Sequence, residues 1–410
     1  MDVAADTQTP FDSIDLMDLD LYRSSPPLDV LAKLRSEDPV HWHEPAADHT
    51  GYWSVTRHAD IAYVSRTPAL FTSCEGTNIM DLDPEIMVFI REIMINMDPP
   101  RHNEYRNLVN KRFLPRGVKR FEEYAEITAR EVVDAIVTRG ECEFVEDVAA
   151  LLPMTLICEM FGIPDSERRY VYDVANRLVS VDDPEVLGEE TSDAVFAEIF
   201  AYAAKLAEDK RKNPSDDLAS LLVNSSPEGR VMDDLRFGAF VIMLMVAGNE
   251  TTRTVTTNGM RRLIEHPDQR EAIRQDLSLL PNAIEEMLRF DPAVHHFRRT
   301  VTEDTELGGK SLKAGEKVIL WYSGGNRDDA VFEDPDRFDI LRANARDHVA
   351  FGIGQHFCLG AHLARLQLRS VFSQLITRVP DMELVGEPRR LRSNFINGVK
   401  EMRVRYTPAS

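Results

Sequence analysis

Cysteine is scarce in this chain of 410 residues. The four present, Cys74, Cys142, Cys158 and Cys358, are too scattered for a CxxC pair or a disulfide framework. That excludes a zinc ribbon and a stapled secreted scaffold, and it fits a reducing cytoplasm. Long apolar runs are also missing: the longest, Phe237 to Gly248, is about a dozen residues where a bilayer needs about 20. It reads as a buried helix, and no membrane insertion is expected. Residues 1–20 are acidic and polar, without the basic start and apolar stretch of an export signal, and are expected to be loosely ordered. Positive charge is short as well, with 48 Lys and Arg against 69 Asp and Glu and a net charge of -21. A general nucleic-acid binder, which needs a basic face, is thereby excluded. Lys111, Arg112, Arg116, Lys119 and Arg120 are the local exception. No fixed-period repeat, low-complexity segment or Gly/Ser linker divides the chain, so 1–410 is read as one domain.

Most of what is there reads as helix. Apolar residues recur at helical spacing in Phe121 to Val137, Ala194 to Leu206, Leu235 to Ile264 and Ala283 to Phe290. Strand signals are confined to Gly51 to Val55 and to Asp304 to Leu320, where Gly308-Gly309 breaks short alternating stretches. The expected class is mainly α with small β-sheets.

The segment richest in chemistry is Phe351-Gly352-Ile353-Gly354-Gln355-His356-Phe357-Cys358-Leu359-Gly360, followed from Ala361 by helical periodicity. A cysteine in a glycine-rich turn before a helix has backbone amides and the positive end of the helix dipole beside it, which favour the thiolate. Such a sulfur can bind iron, and glycines let backbone approach a flat cofactor closely. The plainer reading is a buried structural cysteine after a turn. The pattern FGxGxxxCxG resembles the haem-binding loop of the cytochrome P450 family. That resemblance implies the cytochrome P450 fold, with a long central helix over haem b, and Cys358 as the iron ligand. Phe351, Gly352, His356 and Gly360 would join the cofactor contacts. Thiolate ligation gives the haem electron density that favours O–O cleavage.

The apolar run ends in Ala247-Gly248-Asn249-Glu250-Thr251-Thr252. Polar groups inside a buried helix need partners, and a threonine can bond back to the carbonyl four residues earlier, here Ala247, loosening the helix locally. A satisfied polar kink would account for that much. The resemblance matches the run to the family's AGxET pattern. It assigns Glu250 and Thr251 to an acid-alcohol pair for proton delivery to dioxygen, and Ala247 and Gly248 to the cofactor face.

Glu286 and Arg289 share a helix face at i and i+3, so carboxylate and guanidinium can meet; alone, such a pair is common on surfaces. The resemblance makes them the family's ExxR motif, with Arg337 as third partner, and gives them a structural role. His102 and Arg106, at i and i+4, resemble its HxxxR pair for the haem propionates, with Arg299 and His356 as further ligands and Arg298 as an alternative to Arg299. It also places Met243, Val246, Ala247, Val294, His295, Phe297, Phe395 and Ile396 in the substrate pocket, with His295 the one polar contact, and a lid over Asp83 to Met97.

The implied activity is that of a haem-thiolate monooxygenase, hydroxylating a steroid, methyl-branched lipid or terpenoid with O2 and electrons from NAD(P)H. No flavin or ferredoxin module is visible in the chain. The electrons are therefore expected from a ferredoxin and its reductase, docking at Lys111, Arg112 and Arg116. The alternative is a haem-thiolate sensor that does not turn over, in which Glu250 and Thr251 would have no duty.

Overall fold

The computed structural model describes residues 15–46, 49–179, 185 and 192–409. Its axis is the helix Asp234–Glu265, 32 residues and about 48 Å long at 1.5 Å per residue. Asp233 starts it by accepting the Arg236 amide at 2.8 Å, satisfying one of the free donors of the first turn. From Phe237 to Met245 all but Met243 are buried, which is why this run shows no polar stripe. Helices Leu151–Phe161, Asp165–Val179, Ser192–Lys212, Leu280–Phe290 and Ala361–Arg378 pack around it. Gly238 lets the helix Ser192–Lys212 approach closely, since a Cβ there would lie 2.5 Å from the Phe200 ring.

The main sheet has five strands in the spatial order Val40–His43, Tyr52–Val55, Lys317–Trp321, His296–Val301, Phe71–Thr72. Tyr52–Val55 and Lys317–Trp321 run parallel, and the other pairs are antiparallel. Both parallel strands are buried throughout, so they read as near-continuous apolar runs. Gly308 and Gly309, both at positive φ, turn the hairpin between Thr305–Leu307 and Lys310–Leu312. In the main sheet Val40–His43, Phe71–Thr72 and His296–Val301 escaped the sequence reading, as did the short strands outside it apart from that hairpin; His296–Val301 holds two arginines whose burial depends on partners distant in sequence.

The amino-terminal expectation is corrected for the part that is described; residues 1–14 lie outside it. Leu16 is fully buried, and the Tyr22 hydroxyl donates to its carbonyl at 3.0 Å. Burial of Leu16 with Leu31, Leu34 and Trp321 fixes this stretch. Among the described residues no single helix is long and apolar enough to cross a membrane.

Candidate cofactor and substrate site

An internal cavity separates the central helix from the loop that carries Cys358. The loop contributes Phe351, Gly352, His356, Cys358, Leu359 and Gly360, and the helix faces it with Met243, Leu244, Ala247, Gly248, Thr251 and Thr252. Gly352 and Gly354 have φ of +67° and +72°, a region costly for any residue with a Cβ. A Cβ at Gly354 would also lie 2.7 Å from the Ser65 carbonyl. The Cys358 amide donates to the Phe351 carbonyl at 2.7 Å, closing the loop, and the helix Ala361–Arg378 follows. Burial raises the Cys358 thiol, while the Gly360 amide, Arg106 and Arg365 lower it. Binding to a metal would remove its proton outright.

The loop is buttressed from behind. Arg365 lies over the Phe351 ring at 4.6 Å and donates to Glu285 at 2.6 and 2.8 Å. Burial alone would raise the Glu285 carboxyl, but Arg365 and His348 bring it down to about 2. The sequence reading missed this support, because no local pattern joins Glu285 to Arg365.

One end of the cavity gathers His102, Arg106, Arg299 and His356. The His102 and His356 rings are 4.3 Å apart, and both buried His102 nitrogens lack a hydrogen-bond partner. Arg106 and Arg299 donate only to carbonyls, those of Phe357 and Arg298, each at 2.7 Å. Burial, then Arg299, His102 and Arg106, pushes His356 down to about 2. Among the described residues none of the four pairs with a carboxylate. Two converging guanidinium groups, two imidazoles that can donate an N–H, the unpartnered nitrogens of His102 and a glycine cradle fit a flat cofactor carrying two carboxylates. Strand alternation decides between the neighbouring arginines: Arg299 lines the cavity, whereas Arg298 lies 3.6 Å from Asp81 on the other side.

On the central helix, Thr251 Oγ1 donates to the Ala247 carbonyl at 2.7 Å. Glu250 is buried and does not line the cavity; its carboxylate meets Arg253 at 2.5 Å. Only the alcohol of the expected pair therefore faces the cavity: Thr251 lies on the helix stripe that carries Met243, Leu244, Ala247 and Gly248, and Glu250 lies beside that stripe.

Several expected pocket residues are displaced. His295 sits 3.1 Å from Ser323 Oγ and against the Tyr22 ring, away from the cavity that its neighbour Val294 lines. Burial drives its imidazole well below the usual range, so it is neutral. Phe395 and Ile396 form a second layer, Phe395 edge-on to Phe297 at 5.6 Å and Ile396 packed with Val294 and Leu391. Val246 packs against the main core. Of the expected lid, Met94 and Ile95 reach the cavity while Ile86 and Val88 are exposed.

The charged network at Glu286 also differs in one member. Glu286 accepts from Arg289 at 2.7 and 2.8 Å, both side chains fully buried. The third partner is Arg342, with Nε 3.2 Å from each carboxylate oxygen. Arg337 is largely exposed beside Asp339 and contributes only its carbonyl, to Arg289 and Arg342. The chain turns at Asp334, which adopts a positive φ and whose carbonyl accepts the Arg337 amide at 3.0 Å.

The profile of the cytochrome P450 family matches residues 77–380. The steroid C26-monooxygenase of Rhodococcus jostii is 37% identical over 409 residues, covering 97% of this chain and 86% of its own. The linalool 8-monooxygenase of Pseudomonas putida is 38% identical over 403 residues, covering 96% and 99%. A Mycobacterium marinum cytochrome P450 solved with pseudoionone superposes with a TM-score of 0.91 at 38% identity, covering 98% of this chain and all of its own. With the cysteine loop, the arginine and histidine cluster and the buried Glu286 network in place, the chain belongs to the cytochrome P450 family and is, with it, a haem-binding monooxygenase.

Proposed function

We propose that this chain hydroxylates a hydrophobic small molecule of the steroid, methyl-branched lipid or terpenoid kind. It works as one haem domain in the cytoplasm, with dioxygen and electrons passed from NAD(P)H through a ferredoxin reductase and a ferredoxin. The observation that carries the substrate class is the wall opposite Cys358. Met94, Ile95, Met243, Leu244, Val294 and Phe297 are apolar, and His295 is turned away. Recognition then rests on burial of apolar surface, about 0.8 kcal/mol for each methylene. The names of the relatives, which act on a steroid and on linalool, agree with that wall.

In this reading Cys358 ligates the iron, and His102, Arg106, Arg299 and His356 hold the haem carboxylates. Bound haem supplies dioxygen activation, its thiolate ligand favouring O–O cleavage. Ala247 and Gly248 leave room over the cofactor face. The Thr251 hydroxyl commits its proton to Ala247, so its oxygen accepts a hydrogen bond from water in the cavity and positions that water for proton transfer. Glu250 supplies protons only after its carboxylate leaves Arg253.

Titrating the ferric protein with steroids, branched lipids and terpenoids tests the class. A high-spin shift with a panel member, and a hydroxylated product on reconstitution with ferredoxin and reductase, is expected; shifts with polar ligands alone would contradict it. For docking, Lys111 and Arg116 are exposed, whereas Arg112 is tied to Asp216 at 2.5 Å. Lys111→Glu with Arg116→Glu is expected to slow ferredoxin-driven turnover at low salt and leave the carbon monoxide spectrum unchanged. Parental turnover at low salt would remove the docking surface.

A further inference from the structure

One polar side chain in the cofactor cavity has no task in the account above. Tyr322 directly follows the strand Lys317–Trp321, is 3% exposed, and lines the same cavity as Arg299, His356 and Cys358. Its amide donates to the His295 carbonyl at 2.8 Å, and its ring lies 5.7 Å from that of Phe297. Backbone and ring are thus fixed. The hydroxyl reaches the cysteine loop, lying 3.2 Å from the position a Cβ on Gly352 would take.

Among the described residues that hydroxyl has no hydrogen-bond partner. A buried phenol ordinarily finds one, and this one borders the cavity instead. The charged or ionisable groups that act on it are Arg299 and Cys358, which line the same cavity. Burial raises the phenol to about 12; it keeps its proton and is available as a donor. What the position lacks is an acceptor, and Arg299 beside it lacks a carboxylate.

We propose that the Tyr322 hydroxyl is a fifth contact to the haem carboxylates, donating to the carboxylate that Arg299 holds. This rests on the haem reading above. Arg299 would supply charge and Tyr322 direction, fixing the carboxylate against the Gly352 backbone.

The test uses the holoprotein and Tyr322→Phe, which removes one oxygen and keeps the ring contact with Phe297. Resonance Raman spectra would follow the propionate bending modes, and transfer to apomyoglobin would follow haem loss. A shifted bending band together with haem loss about tenfold faster, the order of one hydrogen bond to a charged group, is expected. An unmoved band overturns the proposal, whether or not haem loss changes, because faster loss alone would mean only looser packing. The parental carbon monoxide spectrum is taken first. If the parent shows no thiolate-ligated haem, it is the haem reading that fails, before the variant is measured.

Discussion

Arg253 Nη2 lies 2.5 Å from Glu250 Oε2, one helical turn apart and both buried within the central helix. The guanidinium reaches on to Asn176 at 2.7 Å and to the Tyr172 hydroxyl at 3.5 Å, tying the acid to the neighbouring helix Asp165–Val179. Burial lowers the Arg253 guanidinium, but Glu250 and Tyr172 together more than offset that. Arg253→Leu would leave a buried carboxylate without its partner, at about 3–5 kcal/mol. Adding Glu250→Gln should recover much of the loss. Urea unfolding of the parent and both variants checks this, and a single variant as stable as the parent would show that the pair contributes nothing.

Thr251→Ala removes the hydroxyl that faces the cavity and frees the Ala247 carbonyl. Product formed per nicotinamide consumed should fall several-fold, by less than the 10²–10⁴ range typical of removing a proton-transfer group, while substrate still induces its spectral shift. Unchanged coupling would remove Thr251 from proton delivery.

Arg342 and Arg337 make opposite predictions. Arg342→Ala strips one partner from the fully buried Glu286 and should destabilise by about 3–5 kcal/mol. Arg337→Ala removes an exposed side chain and should stay within about 0.5 kcal/mol of the parent. Thermal unfolding distinguishes the two, and the reverse ranking would restore Arg337 to the network.

Glu285 gives the protein part of its acid sensitivity. Its folded carboxyl titrates at about 2 against an ordinary 4.5, so the folded state binds that proton less readily than the unfolded chain. The stabilisation, up to about 3 kcal/mol, is complete above pH 4.5 and is lost as pH falls towards 2. Glu285→Gln should lower stability at neutral pH and flatten the decline between pH 4.5 and 2. The slope persists in part, since Asp291, held at about 2 by Arg262 and Arg261 against its burial, remains. An acid limb as steep as the parent's would contradict the assignment.

The chemistry was legible wherever it is local. The loop from Phe351 to Gly360, the run from Ala247 to Thr252 and the Glu286–Arg289 turn each lie within a few residues, where backbone geometry alone decides what meets. Side-chain direction at unpaired strands and turns was not legible. His295 and Val294 are neighbours, yet only one reaches the cavity. Arg337 and Arg342 are five residues apart in irregular chain, where no periodicity says which one enters. Glu285 with Arg365, and Tyr322 against Gly352, are contacts between distant elements that no spacing announces. The facing of Glu250 was partly legible, because the cavity-lining positions Met243, Leu244, Ala247, Gly248, Thr251 and Thr252 recur at helical spacing and Glu250 falls outside that stripe.

The most direct test of the account is the carbon monoxide difference spectrum of the reduced protein, taken on the parent and on Cys358→His. The parent should show the Soret band of thiolate-ligated haem, and the variant should lose it while keeping its fold. A parent without haem, with a band typical of histidine ligation, or with a thiolate band that survives the substitution, would contradict the assignment of Cys358.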